Sequence, residues 1–132
     1  MRIPPISSLS SQSNKRELQF GHSNELKTLF KKGKFPSVKF DAGGNLLTKQ
    51  NVTLDHIIPV SKGGKNKTTN FMLAVDEFNH GRGNDPLLEV TTKEGIFDYL
   101  KQFVGVKVGT FIGNNYIKGV LLTLQEASRL GV

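Results

Sequence analysis

The sequence predicts one α+β domain with more helix than strand. Apolar residues recur at helical spacing in three segments, near residues 23–32, 92–104 and 115–129. Two short runs of strand-forming residues, at 52–56 and 71–74, flank a turn that contains two glycines. At 132 residues the chain is long enough for one modest core but not for two. We therefore expect a single domain built from a short hairpin and several helices.

The composition points to a polyanionic partner. The chain has 18 Lys and Arg against 11 Asp and Glu, a net charge of +7. Such a surplus favours nucleic acid first and an anionic membrane surface second, although simple solubility explains it as well. With no cysteine, a metal would have to be held by His, Asp, Glu or amide oxygens.

The sequence also bears on where the protein acts. No apolar run reaches the roughly 18 residues that a membrane span needs, so no membrane insertion is expected. The first residues lack the apolar core of a signal peptide. We therefore expect a cytoplasmic location or delivery by a specialised secretion route.

The N-terminal third begins with a segment that has little to bury. Residues 1–14 are rich in Ser, Pro, Asn and Gln, which predicts a mobile arm before a domain at 15–132. A first helix is predicted over 23–32, capped by Ser23 and ended by Gly33. Residues 37–40 and 46–47 resemble strands on either side of a turn at 41–45.

The C-terminal third predicts helix, strand and helix. Residues 91–94 fit a capping box at the start of a helix. A strand is predicted after it at 106–111. A last helix, capped by an Asn of 113–115, is predicted to run to about Arg129. Gly119 should weaken that helix by about 1 kcal/mol relative to Ala. The apolar stripe of the helix that follows the capping box is Ile96, Phe97, Leu100, Phe103 and Val104; that of the last helix is Tyr116, Val120, Leu121, Leu124 and Ala127.

The central stretch at 52–86 concentrates polar groups of a kind that a core alone does not require. Asp55 and His56 end the first strand-like run, where side chains of neighbours alternate between faces. Asn70 follows His56 by fourteen residues, and Asn79 follows Asn70 by nine. Taken singly, these residues are more often a hydrogen-bonded surface pair, a turn residue and a cap residue. Their combination favours a catalytic interpretation.

The order of residues in this stretch resembles one known family. The pattern D-H-I-I-P-x-S-x-G-G, then N, then N-x-x-x-G, is similar to that of the HNH endonucleases over about 35 residues. The resemblance implies a ββα-metal finger at about 50–86 with flanking helices. It further implies that His56 is the general base, that Asn70 ties the turn and helps to orient His56, and that Asp55 and Asn79 bind a metal.

Several assignments stay open at this point. Two oxygen ligands favour Mg²⁺ or Mn²⁺, whereas His80 in place of Asn79 would favour Zn²⁺ or Ni²⁺. Lys62, Lys65 and Lys67 form either a solvated loop or contacts to phosphates. Arg82 either grips a phosphate or is a cation at a helix end.

The resulting functional hypothesis is a metal-dependent nuclease of low sequence specificity. DNA is the favoured substrate, with RNA as the alternative, and cleavage would leave 5′-phosphate and 3′-hydroxyl ends. An acidic immunity or regulatory protein would be a suitable partner for a basic cleft. The rival hypothesis is a basic module that binds nucleic acid without cutting it.

Overall fold

The computed structural model describes residues 25–132 and shows an α+β chain, as the sequence predicts. The predicted arm at 1–14, the start of the predicted domain at residue 15 and the Ser23 cap lie outside the described residues. The helices are α1 (Glu25–Lys31), α2 (Asp76–Arg82), α3 (Leu87–Val90), α4 (Lys93–Lys101) and α5 (Gly113–Leu130). The strands are β1 (Val52–His56), β2 (Phe71–Val75), β3 (Lys107–Val108) and β4 (Phe111–Ile112).

The centre of the fold is the antiparallel pair of β1 and β2. Val52 lies opposite Val75 and His56 opposite Phe71, so the register is continuous along both strands. Every residue of β2 is buried, whereas in β1 only Val52 and Asp55 are buried and the other three residues are half-buried. The strand β2 therefore runs through the interior, and α2 begins at the residue that follows it.

The outer edge of β2 has side chains as its hydrogen-bond partners. The Leu73 amide donates to the Tyr99 hydroxyl at 2.8 Å, and the Val75 amide donates to Asp41 Oδ2 at 3.0 Å. The Tyr116 hydroxyl donates to the Phe71 carbonyl at 2.6 Å. Buried backbone groups need such partners because an unpaired one is costly. Residues from three distant segments thus replace a third strand along this edge.

A loop at 57–70 joins the two strands and contains two 3₁₀ turns, Val60–Lys62 and Thr68–Asn70. Gly63 has φ 92°, in the left-handed region that glycine adopts at little cost. A Cβ on Gly64 would lie 1.7 Å from the Ile58 carbonyl oxygen. The first glycine is needed for its conformation and the second for a close backbone approach.

Two predictions about strands need correction. Residues 37–40 and 46–47 form no strand pair; a single bridge joins Phe40 to Leu46 around the predicted turn. Asp41 closes that turn by accepting the Gly43 and Asn45 amides. The segment 106–111 is not one strand, because β3 and β4 pair as a short hairpin across it.

The two C-terminal helices are present, with differences in detail. Thr92, not Thr91, caps α4 by accepting the Gly95 amide at 2.9 Å. Two members of the predicted apolar stripe are not buried: Phe97 on α4 is 48% exposed, and Val104, beyond the helix end, is 65% exposed. The helix α5 begins at Gly113 without a side-chain cap. Leu121 on its predicted apolar face is 37% exposed.

Gly119 has a packing role that its helix propensity does not suggest. A Cβ there would lie 2.3 Å from Thr69 Cγ2, in the 3₁₀ turn that leads into β2. The Thr123 hydroxyl donates to the Thr69 carbonyl at 2.9 Å. The helix α5 is therefore docked directly on the loop between the central strands. None of the helices within 25–132 is long and apolar enough to cross a membrane.

Candidate active site

Three of the residues that the sequence singles out line one cavity. Asp55 and His56 reach it from the end of β1, and Asn79 reaches it from α2. The cavity has a volume of about 260 Å³. Because β1 ends at His56, the alternation of the strand is broken there, and neighbouring side chains can reach the same space. The remaining lining residues are Pro59, Val60, Ser61, Gly83 and Asn84.

Asp55 is the acidic member of the site and is 4% exposed. Its Oδ1 lies 2.6 Å from Arg82 Nη1. Burial raises the pKa of the Asp55 carboxyl above its ordinary value, and the charge and hydrogen bond of Arg82 oppose that rise. A buried guanidinium needs a counter-charge, which the Asp55 carboxylate beside it supplies.

Arg82 lies in the last turn of α2, as one of the two sequence interpretations expects, but its side chain is buried. Its side chain is 1% exposed, so it cannot reach a phosphate at the surface, and it does more than end α2. Besides Asp55, the guanidinium donates to the carbonyls of His56 and Ile57 at 2.6 and 2.9 Å. Its Nε donates to the Asp85 carbonyl at 2.9 Å. Arg82 therefore links the end of β1 to the segment that follows α2.

His56 is half-buried and is held by two contacts. Its Nε2 lies 2.7 Å from Asn66 Oδ1, and its ring packs against Phe71 with centroids 4.6 Å apart. An amide oxygen can only accept, so Nε2 carries the proton in the neutral ring. Nδ1 then has the lone pair, and no hydrogen bond to it from residues 25–132 is present. This is the protonation pattern that a general base requires.

Asn79 and His80 are neighbours in sequence but lie in different surroundings. Asn79 Nδ2 donates to Thr53 Oγ1 at 3.1 Å and to the Leu54 carbonyl at 3.2 Å. With the amide nitrogen used in this way, Oδ1 is the atom left to act as a ligand. The His80 side chain is 83% exposed, lies 3.3 Å from Asp76 and does not line the cavity. The geometry therefore favours Asn79 over His80 as the member of the site.

Asn70 is 2% exposed and acts as a tie within the loop, as expected from the sequence. Its Oδ1 accepts the Ile58 amide at 2.9 Å. Its Nδ2 donates to the carbonyls of Ile58 and Lys65 at 3.0 and 2.9 Å. Asn70 makes no direct contact with His56 through these bonds, so any effect on the imidazole passes through the loop that it ties.

The three loop lysines are exposed, and the structure divides them into two groups. Lys62 follows Val60 and Ser61, which line the site cavity. Lys65 and Lys67 instead line a separate cavity of about 360 Å³ between the loop and α5. Lys62 is thus the one of the three that lies next to the candidate site along the chain.

The donor set of the cavity fits a cation that prefers oxygen. Asp55 Oδ2 and Asn79 Oδ1 have no hydrogen bond from residues 25–132, and Ser61 and Asn84 add further oxygens to the lining. Within residues 25–132 there is no group of three or more His, Cys, Asp and Glu side chains suited to a metal. A metal at this site would therefore complete its coordination with water and substrate oxygens, as Mg²⁺ commonly does.

Two residues of the site were not identified from the sequence. Asn66 contacts His56, and Asn84 lines the cavity after Gly83. The Gly83-Asn84 pair is a turn signal directly after the predicted helix, but nothing in it indicates which way the amide points. Asn66 sits in a charged loop, where an asparagine is unremarkable.

Comparison of the chain with protein-family models, curated proteins and solved structures finds no match in any of the three.

Proposed function

We propose that the chain is a metal-dependent endonuclease of the HNH type that hydrolyses phosphodiester bonds of DNA. The observation that carries this proposal is the meeting of Asp55, His56 and Asn79 in one cavity. A folded core does not require a carboxylate, an imidazole and an amide at one surface depression. The resemblance in sequence to the HNH pattern adds a second, independent support.

The chemistry assigned to His56 follows from its hydrogen bond to Asn66. With the proton on Nε2, the lone pair on Nδ1 takes a proton from the water that attacks phosphorus. The new oxygen–phosphorus bond forms as the bond to the 3′-oxygen breaks. The products are therefore a 5′-phosphate and a 3′-hydroxyl end.

Asp55 and Asn79 are the residues that would hold a metal, through Asp55 Oδ2 and Asn79 Oδ1. Oxygen donors favour Mg²⁺ or Mn²⁺, and the position of His80 outside the cavity removes the main argument for Zn²⁺ or Ni²⁺. A bound divalent ion would neutralise the scissile phosphate and stabilise the leaving oxygen. Arg82 already balances the charge of Asp55, so we expect weak metal binding until a phosphate contributes its own negative charge.

The charge of the chain supports a polyanionic substrate. The net charge is +7, and the loop beside the site carries the exposed Lys62. Contacts from such lysines to phosphates are independent of sequence, which agrees with low specificity. The same basic surface would suit an acidic immunity or regulatory protein, whose binding would compete with that of DNA.

The test compares two neighbouring histidines. His56→Ala removes the proposed base, and we expect cleavage to fall by about 10²- to 10⁴-fold while DNA affinity is retained. His80→Ala is the matched control, because His80 is exposed and lies outside the cavity; it should cleave like the parent chain. Equal activity of the His56→Ala variant and the parent would overturn the assignment of the base.

The second candidate is a basic module that binds nucleic acid without cutting it. The pairing of Asp55 with Arg82 favours it, because a carboxylate whose charge is already balanced attracts a cation less strongly. Under this hypothesis the parent chain binds DNA but shows no cleavage above background with any divalent ion. The parent chain, His56→Ala and His80→Ala would then all show no cleavage, and DNA binding would be the activity that is observed.

A further inference from the structure

The loop at 62–67 reaches the candidate base through one side chain. Asn66 is exposed, and its Oδ1 lies 2.7 Å from His56 Nε2. No other hydrogen bond of the Asn66 side chain is present among residues 25–132. An exposed amide with a single short contact to the imidazole contributes little to the core. Within the part of the chain that the structure describes, the Asn66 side chain therefore acts on His56.

We propose that Asn66 is a positioning residue that fixes the tautomer of His56. A neutral imidazole carries one proton, on either nitrogen, and an acceptor at one nitrogen selects the tautomer with the proton there. Asn66 Oδ1 holds the proton on Nε2 and thereby keeps the lone pair on Nδ1. This inference rests on the proposed function, since the selected tautomer matters for catalysis only if His56 is the base.

The backbone around Asn66 is held by bonds that keep the amide in place. The Asn70 side chain donates to the carbonyl of Lys65, the residue before Asn66, at 2.9 Å. The Gly64 amide donates to the Pro59 carbonyl at 2.9 Å, and no larger residue fits at Gly64. Asn70 therefore acts on His56 through Asn66: it holds the loop, and the loop presents the acceptor.

The packing of the ring makes the hydrogen bond selective. Phe71 packs against the imidazole at a tilt of 56°, with ring centroids 4.6 Å apart, and this contact helps to hold the ring where Nε2 faces Asn66. Without Asn66 the ring would stay in place but both tautomers would be populated. We therefore expect a lower kcat for cleavage, with little change in the KM for DNA.

The first measurement reads the tautomer directly. In the full chain labelled with ¹⁵N, the imidazole shifts of His56 at mildly alkaline pH should report a proton on Nε2. Asn66→Leu, which is close in size and cannot accept a hydrogen bond, should give a mixture of the two tautomers. Asn66→Asp, which still accepts, should restore the Nε2–H form. A proton on Nδ1 in the parent chain, or an unchanged tautomer in Asn66→Leu, would overturn the proposal.

The second measurement is the kinetics of cleavage. Asn66→Leu should lower kcat roughly tenfold to a hundredfold with little change in KM, as expected for loss of a residue that orients a catalytic histidine. Asn66→Asp should recover part of the loss. Asn115→Leu, the same change at an exposed residue of α5, is the control and should leave kcat as it is. Equal kcat in the two Leu variants would contradict a positioning role.

The two measurements separate this inference from the proposed function. If the chain cuts no DNA, the nuclease proposal fails, but the tautomer shift in Asn66→Leu still tests the contact. If the chain cuts DNA and Asn66→Leu changes neither tautomer nor kcat, only the role of Asn66 fails.

Discussion

The Arg82 guanidinium joins one carboxylate and three backbone carbonyls at the edge of the site. Two of the carbonyls belong to His56 and Ile57, where β1 has ended, and the third belongs to Asp85. Carbonyls at the end of a strand have no ladder partner, and a buried one needs a donor. The guanidinium supplies several donors at once, which Lys could not do in the same geometry.

Arg82→Met tests this arrangement, because it removes the charge but keeps much of the side-chain volume. Asp55 would then be buried without its counter-charge, and three carbonyls would lose their donor. We expect the free energy of unfolding to fall by about 3–5 kcal/mol in chemical denaturation. Arg129→Met, at an exposed pair with Glu126, should cause no measurable loss. A loss at Arg82 as small as that at Arg129 would show that the buried pair is not needed for stability.

At the scale of elements, the strand β2 depends on two tyrosines for its outer edge. Tyr99 accepts the Leu73 amide, and Tyr116 donates to the Phe71 carbonyl. Because Tyr116 uses its proton on Phe71, the bond between the two hydroxyls must run from Tyr99 to Tyr116, at 3.0 Å. Each of the two hydroxyls therefore donates one hydrogen bond, Tyr99 to Tyr116 and Tyr116 to the Phe71 carbonyl.

Alkaline pH should unfold the protein through these tyrosines. Burial raises the pKa of both hydroxyls, Tyr99 and Tyr116, well above the ordinary value. Unfolded tyrosine ionises near about pH 10, so the stabilisation is complete below that pH and is lost as pH rises toward the folded pKa values. The chain has 2 tyrosines and no tryptophan, so tyrosinate absorbance reports these residues alone.

We expect tyrosinate absorbance to appear together with unfolding, in one step above about pH 10. Tyr116→Phe should already lose about 1–3 kcal/mol at neutral pH, since the Phe71 carbonyl and the Tyr99 hydroxyl lose a partner. Ionisation of tyrosine near pH 10 in a chain that remains folded by circular dichroism would contradict the buried network.

The docking of α5 on the loop can be tested at its closest point. Gly119→Ala adds a Cβ that would lie 2.3 Å from Thr69 Cγ2 and 2.9 Å from Thr69 Cβ. The resulting overlap should destabilise the protein by about 1–3 kcal/mol, although alanine favours a helix. Gly81→Ala in α2 meets no atom within 4 Å and should be neutral or stabilising. Equal effects of the two variants in thermal denaturation would show that α5 is not in close contact with Thr69 at Gly119.

At the scale of the whole molecule, the sequence predicts elements that depend on nearby residues better than it predicts contacts between distant residues. The hairpin, its glycine turn and the two C-terminal helices follow from periodicity and turn residues close in sequence. The pairing of Arg82 with Asp55 could not be predicted because the two residues lie 27 positions apart. The tyrosine partners of β2 lie 26 and 45 residues away, so no local pattern marks them. Asp55, His56 and Asn79 could be grouped from the sequence because one short unit contains them all, and the structure brings them to one cavity.

The measurement that tests the account most directly is nicking of supercoiled plasmid by the purified chain. We predict nicked product with Mg²⁺ or Mn²⁺, ends that carry 5′-phosphate and 3′-hydroxyl, and no product in EDTA. Asp55→Asn and Asn79→Ala, each at a proposed ligand, should need higher metal concentrations for the same rate. Plasmid that is bound but stays supercoiled with every divalent ion would contradict the nuclease and leave a basic binding module.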